Sequence, residues 1–272
     1  MRWVDLHTHT HHSADSPTQP RALVAAALRV GLDGIAVTDH MTVAGARETA
    51  RAAEGTPLAV IIGAEYSTDT GHVLGLFLRE EIRLSKAPRW PWREVLEAIH
   101  AQGGVAVLAH PTRSWRVVDP EALAAMDGVE IFNARAEWSR FPQANPQARE
   151  LWAQARRRRP GLFPTGGSDA HFPGEVGHGR TGLDDGADLR VALRAGALEV
   201  SGQGTLPLYE ATSQAFKAAR TRNWRAAPRA AARLAWGGLR TIPHLGPAQA
   251  SRWDVSGAAP DEGRQGSTVQ EP

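Results

Sequence analysis

The chain has 272 residues, a formal net charge of +2 at pH 7 and no cysteine. Disulfides, thiolate metal sites and a cysteine nucleophile are therefore excluded together, and the length holds one large domain with a tail or two small domains. The pI near 9.5 overstates the basicity, because two lysines (Lys86, Lys217) and two tyrosines (Tyr66, Tyr209) leave few groups to titrate above neutrality.

Asp5 and His7 interrupt the N-terminal stretch where a signal peptide would be apolar, and no apolar run has the length of a membrane span. A cytoplasmic location and no membrane contact are expected.

Trp3, Val4 and Leu6 read as a short buried strand that runs into His7 and His9. Two imidazoles two residues apart on an extended segment project to one side, so both can reach one cation. Thr18 and Pro20 signal a helix start, Leu23, Ala27 and Val30 keep helical spacing, and Gly31 ends the run. Gly34 to His40 is the next buried-strand run, followed by strands at Leu58–Ile62 and Val73–Phe77, with Glu65 after the first and His72 at the entrance of the second. Val95, Leu96 and Ile99 mark a helix that stops at Gly103-Gly104, and Val105–Leu108 then leads to His110. A short helix at Leu123 and Met126 precedes a strand at Val129–Phe132, which leads to Asn133 and Arg135. A helix over Ala148–Arg158 ends in arginines that suit its negative dipole end, before Pro160. Leu162 and Phe163 lead to Gly167-Ser168-Asp169-Ala170-His171, and a last strand and helix fit Arg180–Leu198.

Strands alternating with helices predict an α/β fold with a largely parallel sheet, and polar residues at successive strand ends favour a barrel. Past Ser201 the composition changes. Eight basic residues and no acidic one lie between Glu210 and Asp254, and the last two dozen residues are rich in Gly, Pro, Ser and Gln. Residues 1–200 are thus expected to form the motif-bearing domain, 201–256 a basic helical extension, and 257–272 a disordered tail.

Each strand-end residue alone is a weak signal, equally consistent with capping or packing. Together they gather imidazoles and carboxylates that would lie buried and unpaired without a cation. In order, the chain reads Asp5-Leu-His7-Thr-His9-Thr, Ser13-x-Asp15-Ser16, Thr38-Asp39-His40, Gly63-x-Glu65, His72-x-Leu74-Gly75, Ala109-His110-Pro111 and Gly167-Ser168-Asp169-Ala170-His171. This ordered set resembles the PHP superfamily, the polymerase and histidinol phosphatase domains, over about residues 1 to 200.

The resemblance implies a distorted (β/α)7 TIM-like barrel that hydrolyses phosphate esters with two or three divalent ions, Mn, Fe or Zn. Its implied ligands are His7, His9, Asp15, His40, Glu65, His72, His110, Asp169 and His171, with Glu65 bridging two ions and Asp39 orienting a ligand. Relatives vary between Asp and His at the third position, so His11 and His12 compete with Asp15 for it. His178 is a candidate proton donor, whereas His100 and His244 read as structural. Arg113 and Arg135, three residues after His110 and two after Asn133, are candidate phosphate binders, ahead of Arg116 and Arg180.

The expected substrate is a small phosphomonoester or nucleotide. One rival reading is an amidohydrolase-like C–N or C–O hydrolase, but neither Lys86 nor Lys217 sits at a strand end to bridge metals as a carbamate. The other is a nucleic-acid-binding protein with a relic domain, suggested by the basic C-terminal extension.

Overall fold

The computed structural model describes residues 1–84, 89–114, 118–137, 144–186, 188–242 and 251–255. Arg116, His244, Lys86 and the tail from 257 onward lie outside them.

A ten-stranded mixed sheet curls into a nearly closed barrel. Its first half runs β1 (Arg2–Thr8), α1 (Pro20–Arg29), β2 (Gly34–Val37), α2 (Ala44–Ala52), β3 (Ala59–Ser67), β4 (His72–Leu76), α3 (Trp92–Ala101) and β5 (Val105–Leu108). There follow α4 (Pro111–Ser114), α5 (Pro120–Ala125), β6 (Gly128–Asn133), α6 (Ala134–Glu137), α7 (Ala144–Arg158), β7 (Phe163–Gly167), β8 (Gly179–Leu183) and α8 (Leu189–Ala195). The chain continues through β9 (Glu199–Gly202), α9 (Pro207–Arg220), α10 (Ala227–Thr241) and β10 (Ser251–Asp254). Among the described residues no helix is long and apolar enough to cross a membrane.

The sheet is less parallel than the alternation of elements predicts. β1, β2 and β3 are parallel neighbours, as are β5, β6 and β7, but β4 is antiparallel to both β3 and β5. Only Thr68 to Gly71 separate β3 from β4, too few residues for the crossover that a parallel pair needs. The reversal carries a consequence for chemistry: an antiparallel strand starts where its parallel neighbours end. His72, the first residue of β4, therefore sits opposite Ser67 at the mouth of the barrel.

Closure brings β7 back to β8 and β1. Gly166 N donates to Thr181 Oγ1 at 2.8 Å, Asp169 N to His7 O at 2.8 Å and His9 N to Ala170 O at 2.8 Å. A Cβ at Gly179 would lie 2.1 Å from Gly167 O, so this seam requires glycine.

The larger core cluster includes Val4, Leu6, Ile61, Leu74, Val107 and Ile131, and a second, with Leu23, Ile35, Leu58 and Val176, includes the buried face of α1. Burying each such side chain contributes roughly 1.5–3 kcal/mol. This packing fixes the strand ends that carry the polar cluster.

Candidate metal centre at the barrel mouth

Parallel strands deliver His7 and His9 from the end of β1, Asp39 and His40 from β2, Glu65 from β3, His110 from β5, and Asp169 and His171 from β7. Glu65 is the hub. Its Oε1 lies 2.6 Å from His72 Nδ1 and 3.1 Å from His110 Nε2, while Oε2 lies 3.0 Å from His40 Nδ1, 3.4 Å from His9 Nε2 and 3.5 Å from His7 Nε2. Asp169 Oδ1 stands 3.2 Å from His9 Nε2 and 3.6 Å from His7 Nε2. Asp15 faces His40 and His171, each Nε2 at 3.4 Å from one of its oxygens. The structure thus puts Asp15 with the cluster, and it puts His11 and His12 elsewhere, beside Glu48.

The far nitrogens of three rings are fixed by their neighbours. His7 Nδ1 donates to Glu130 Oε1 at 3.0 Å, His171 Nδ1 to Asp169 O at 2.8 Å, and His9 Nδ1 to Ser13 Oγ at 3.1 Å. Ser13 in turn donates to Asp39 Oδ1 at 2.6 Å, and Asp39 also accepts from Thr10 N and Oγ1. These bonds turn each Nε2 lone pair toward the cluster, the arrangement by which outer partners orient metal-binding imidazoles. Asp39 accordingly orients His9 through Ser13. His7 Nε2, His9 Nε2 and Asp15 Oδ1 are buried and have no hydrogen-bond partner, which is costly unless a cation meets them. Glu130 is not among the residues singled out from the strand-end motifs. A carboxylate inside the apolar run Val129–Phe132 was the signal that could have found it.

Backbone strain coincides with the same residues. Asp169 has φ of 55° and His110 of 27°, conformations that usually cost about 1–3 kcal/mol and persist where surroundings over-determine them.

Proton affinities diverge across the cluster. Burial opposes charging of His7, but Glu130, Asp169 and Glu65 hold it well above the ordinary histidine range. Burial and the neighbouring His171 push His9 down to about 4. His40 is raised to about 10, Glu65 and Asp15 overcoming its burial. Glu65 and Asp169 are held far below the usual carboxylate range despite burial by the histidines around them. Carboxylates that stay charged beside imidazoles that cannot all be protonated form a donor set for cations.

The arginines take different positions. Arg113 Nη1 reaches Asp169 Oδ2 at 3.1 Å and its Nη2 reaches Glu210 Oε2 at 3.0 Å, with a fifth of the side chain exposed. Arg135 is fully buried, bonded by Nε and Nη2 to both oxygens of Glu175 at 2.9 and 2.7 Å and by Nη1 to Glu210 at 3.0 Å. His178 stands apart. Its Nδ1 meets Thr205 Oγ1 at 3.1 Å, and it lines a separate groove with Arg180 and Gln203. Arg180 lies over the Trp3 ring and His100 pairs with Asp127.

The wall opposite the strands comes from α9. Glu210, Gln214 and Lys217 line one cavity of about 220 Å³ with Asp15, His40, Glu65, His72, His110, Arg113, Arg135, Asp169 and His171. Lys217 Nζ is 2.9 Å from Asp15 Oδ2, Ser213 Oγ donates to Asp15 O at 2.7 Å, and Arg220 Nη1 reaches the carbonyls of His11 and Ser13. The first helix beyond residue 200 therefore completes the cavity. Arg222, Arg225, Arg229 and Arg233 remain exposed.

Known proteins resemble this chain in sequence and in fold. A PHP domain family model matches residues 5–136 and a PHP-associated model matches residues 142–198. An uncharacterised protein of Methanocaldococcus jannaschii is 35% identical over 147 residues, covering 48% of this chain and 81% of that protein. Among solved structures, a candidate metal-dependent phosphoesterase from Bifidobacterium adolescentis matches with a TM-score of 0.53 at 24% identity, over 71% of this chain and 96% of its own. An amidohydrolase from Chromobacterium violaceum with bound sulfate matches at 0.51 and 21%, over 67% and 92%. At these identities the structural likenesses speak for a shared fold.

Proposed function

Because this chain belongs to the PHP superfamily, we propose that it is a metal-dependent phosphoesterase, hydrolysing a small phosphomonoester or a nucleotide. One observation carries the reading: the buried, unpartnered Nε2 atoms of His7 and His9 and Oδ1 of Asp15 converge with Glu65 and Asp169 at one mouth of the barrel.

The donors fit divalent ions. All are imidazole nitrogens or carboxylate oxygens, which suits Mn, Fe or Zn rather than a thiophilic ion. His7, His9, Glu65 and Asp169 would hold one ion, Glu65, His72 and His110 a second, and Asp15, His40 and His171 a third. Such ions, when bound, supply Lewis acidity, making a nucleophile from water near neutral pH and drawing charge from phosphoryl oxygens.

The protein's own groups then position the substrate. Arg113 and Lys217 present cations to the cavity, and a guanidinium matches phosphate oxygens in pairs. The cavity volume of about 220 Å³ lies below the usual range for drug-sized ligands, which favours a small substrate. The amidohydrolase-like alternative is less supported: the hub between imidazoles is Glu65, and the one lysine among the described residues, Lys217, is engaged by Asp15. His178 receives no role in this reading.

The test is elemental analysis of purified protein alongside hydrolysis of a panel of phosphorylated metabolites. More than one bound transition metal per chain is expected, with activity lost on chelation and restored by metal. Asp169→Ala should lose both metal and activity. Protein that binds no metal and hydrolyses phosphate esters undisturbed by chelator would refute the reading.

A further inference from the structure

The histidine pair His11 and His12 is not absorbed by the centre. With Glu48 they offer three donor atoms lying within 4.8 Å of one another. His12 Nε2 is 2.9 Å from Glu48 Oε2, the two imidazole rings are 4.4 Å apart at 47°, and His11 Nδ1 is buried without a hydrogen-bond partner. We infer that His11, His12 and Glu48 form a second, peripheral metal site that takes one zinc-like divalent ion. This inference does not depend on what the central cluster hydrolyses.

Both halves of the site are pre-arranged. The loop that carries the histidines is pinned by His11 N to Thr18 O at 2.8 Å and Ser13 N to Thr10 O at 2.9 Å, and Arg220 holds the carbonyls of His11 and Ser13 from α9. Glu48 projects from α2, whose Gly45 is pressed so close to Asp39 and Thr10 that a Cβ there would lie 2.0 Å from Asp39 Oδ2. The spacing suits coordination: bonds of about 2.0–2.1 Å in tetrahedral geometry put donors roughly 3.4 Å apart. The closest pair, His12 and Glu48, is now slightly inside that separation, and a small rotation of these half-buried side chains opens it.

Ligand chemistry selects the ion. Two imidazoles and one carboxylate favour zinc and its neighbours over magnesium or calcium, which take oxygen ligands. Three protein donors at a partly exposed position leave the fourth place to water, and the nearby Arg51 and Arg220 weaken attraction for a cation, so affinity should be below that of a closed four-ligand site. An ion here would tie the loop bearing Ser13 and Asp15 to the helix that backs Asp39. His12 N also reaches Thr10 Oγ1 at 3.3 Å, and Thr10 Oγ1 donates to Asp39, so the brace connects to the groups that orient His9.

The experiment uses full-length protein whose central cluster has first been loaded with metal. Zinc is titrated in by calorimetry and counted by elemental analysis, for wild type and for His12→Gln and Glu48→Gln, neither of which belongs to the central cluster. Wild type should take up one additional zinc per chain and melt at higher temperature with it. Each variant should lose that uptake or weaken it at least about tenfold, while keeping its central metal content and its melting temperature without added zinc. As a measurement free of substitutions, zinc should protect His11 and His12 of wild type from carbethoxylation read by peptide mass spectrometry. Equal zinc uptake in wild type and both variants, or unprotected histidines at saturating zinc, would overturn the inference. Failure of phosphate hydrolysis alone would leave these outcomes unchanged and would bear only on the central cluster.

Discussion

Replacing Arg135 with alanine separates two roles that look identical in sequence. Arg135 and Glu175 have side-chain exposures of 1% and 0%, and the guanidinium makes a paired contact with both carboxylate oxygens. Removing one member of a buried ion pair leaves the other uncompensated, at a cost of about 3–5 kcal/mol. Glu175 Oε2 also accepts His171 N at 2.9 Å and Phe172 N at 3.0 Å, so the damage reaches the loop holding His171. At roughly 2–4 °C per kcal/mol, Arg135→Ala should lower the melting temperature by ~6–20 °C. Arg135→Lys keeps the charge but loses the fork, and should fall between. Arg113 is more exposed and lies over the cavity, so Arg113→Ala should melt within a few degrees of wild type. Its catalytic efficiency towards phosphomonoesters should nevertheless drop about tenfold, about 1.4 kcal/mol, at unchanged metal content. Differential scanning fluorimetry and steady-state kinetics on the three variants decide the matter. An Arg135→Ala protein that melts like wild type but loses catalytic efficiency would refute the bracing role and make Arg135 a phosphate binder.

Lys217→Ala should raise KM for a phosphomonoester by up to about tenfold, since the ammonium is nearly half exposed and its interaction partly screened; an unchanged KM would detach α9 from substrate binding. Asp5 gives a pH signature. Burial, partly offset by hydrogen bonds from Ser168, Gly177 and His7, raises its carboxyl from 3.8 to about 6. The folded chain then holds a proton that the unfolded chain releases, so stability is fully present below about pH 4 and is lost as pH rises through about 6, by ~3 kcal/mol. Urea unfolding of wild type and Asp5→Asn across that range should show their difference changing by that amount, and a flat difference would mean that Asp5 titrates normally. Deleting residues from Gly257 onward should leave hydrolysis and melting temperature intact, and a loss of either would move the functional boundary into the tail.

What was legible in the sequence was what repeats locally. The short apolar run of Trp3, Val4 and Leu6 put His7 near the end of β1, and similar runs located β5 and β6 to within a residue, while the run read from Gly34 to His40 overshoots the end of β2 at Val37 by three. Buried strands show as continuous apolar runs whose ends periodicity does not fix. α2 escaped notice: its residues Ala44–Ala52 include Gly45, Arg47, Glu48, Thr49 and Arg51, so no apolar stripe marks it. The sequence ranks Asp15 ahead of His11 and His12 through its Ser-x-Asp-Ser pattern but leaves them as competitors, because a loop's facing residue is set by tertiary contacts such as Ser16 Oγ to His171 O and Thr18 Oγ1 to His171 O. The docking of α9 was least legible of all. Hydrophobic periodicity detects helix faces that bury apolar groups, and α9 turns Glu210, Gln214 and Lys217 toward a polar cavity.

That polar face changes what the basic C-terminal composition means. Glu210 is the acid that precedes the stretch with eight basic residues, and it holds both Arg113 and Arg135, which pull its carboxyl below the usual range against the effect of burial. Lys217, two turns on, meets Asp15. The extension thus contributes one carboxylate and one ammonium to the cavity, each matched to a charge on the barrel, instead of a uniform positive surface. On the proposed reading, an incoming phosphate dianion competes with Glu210 for Arg113, and it offers more charge and more acceptor oxygens than a single carboxylate. Arg135 has no such freedom, because Glu175 holds it twice from a buried position where the exchange would strand a charge. The same carboxylate therefore leaves one arginine available to substrate and the other committed to the fold, which is why the two arginines should answer to different assays.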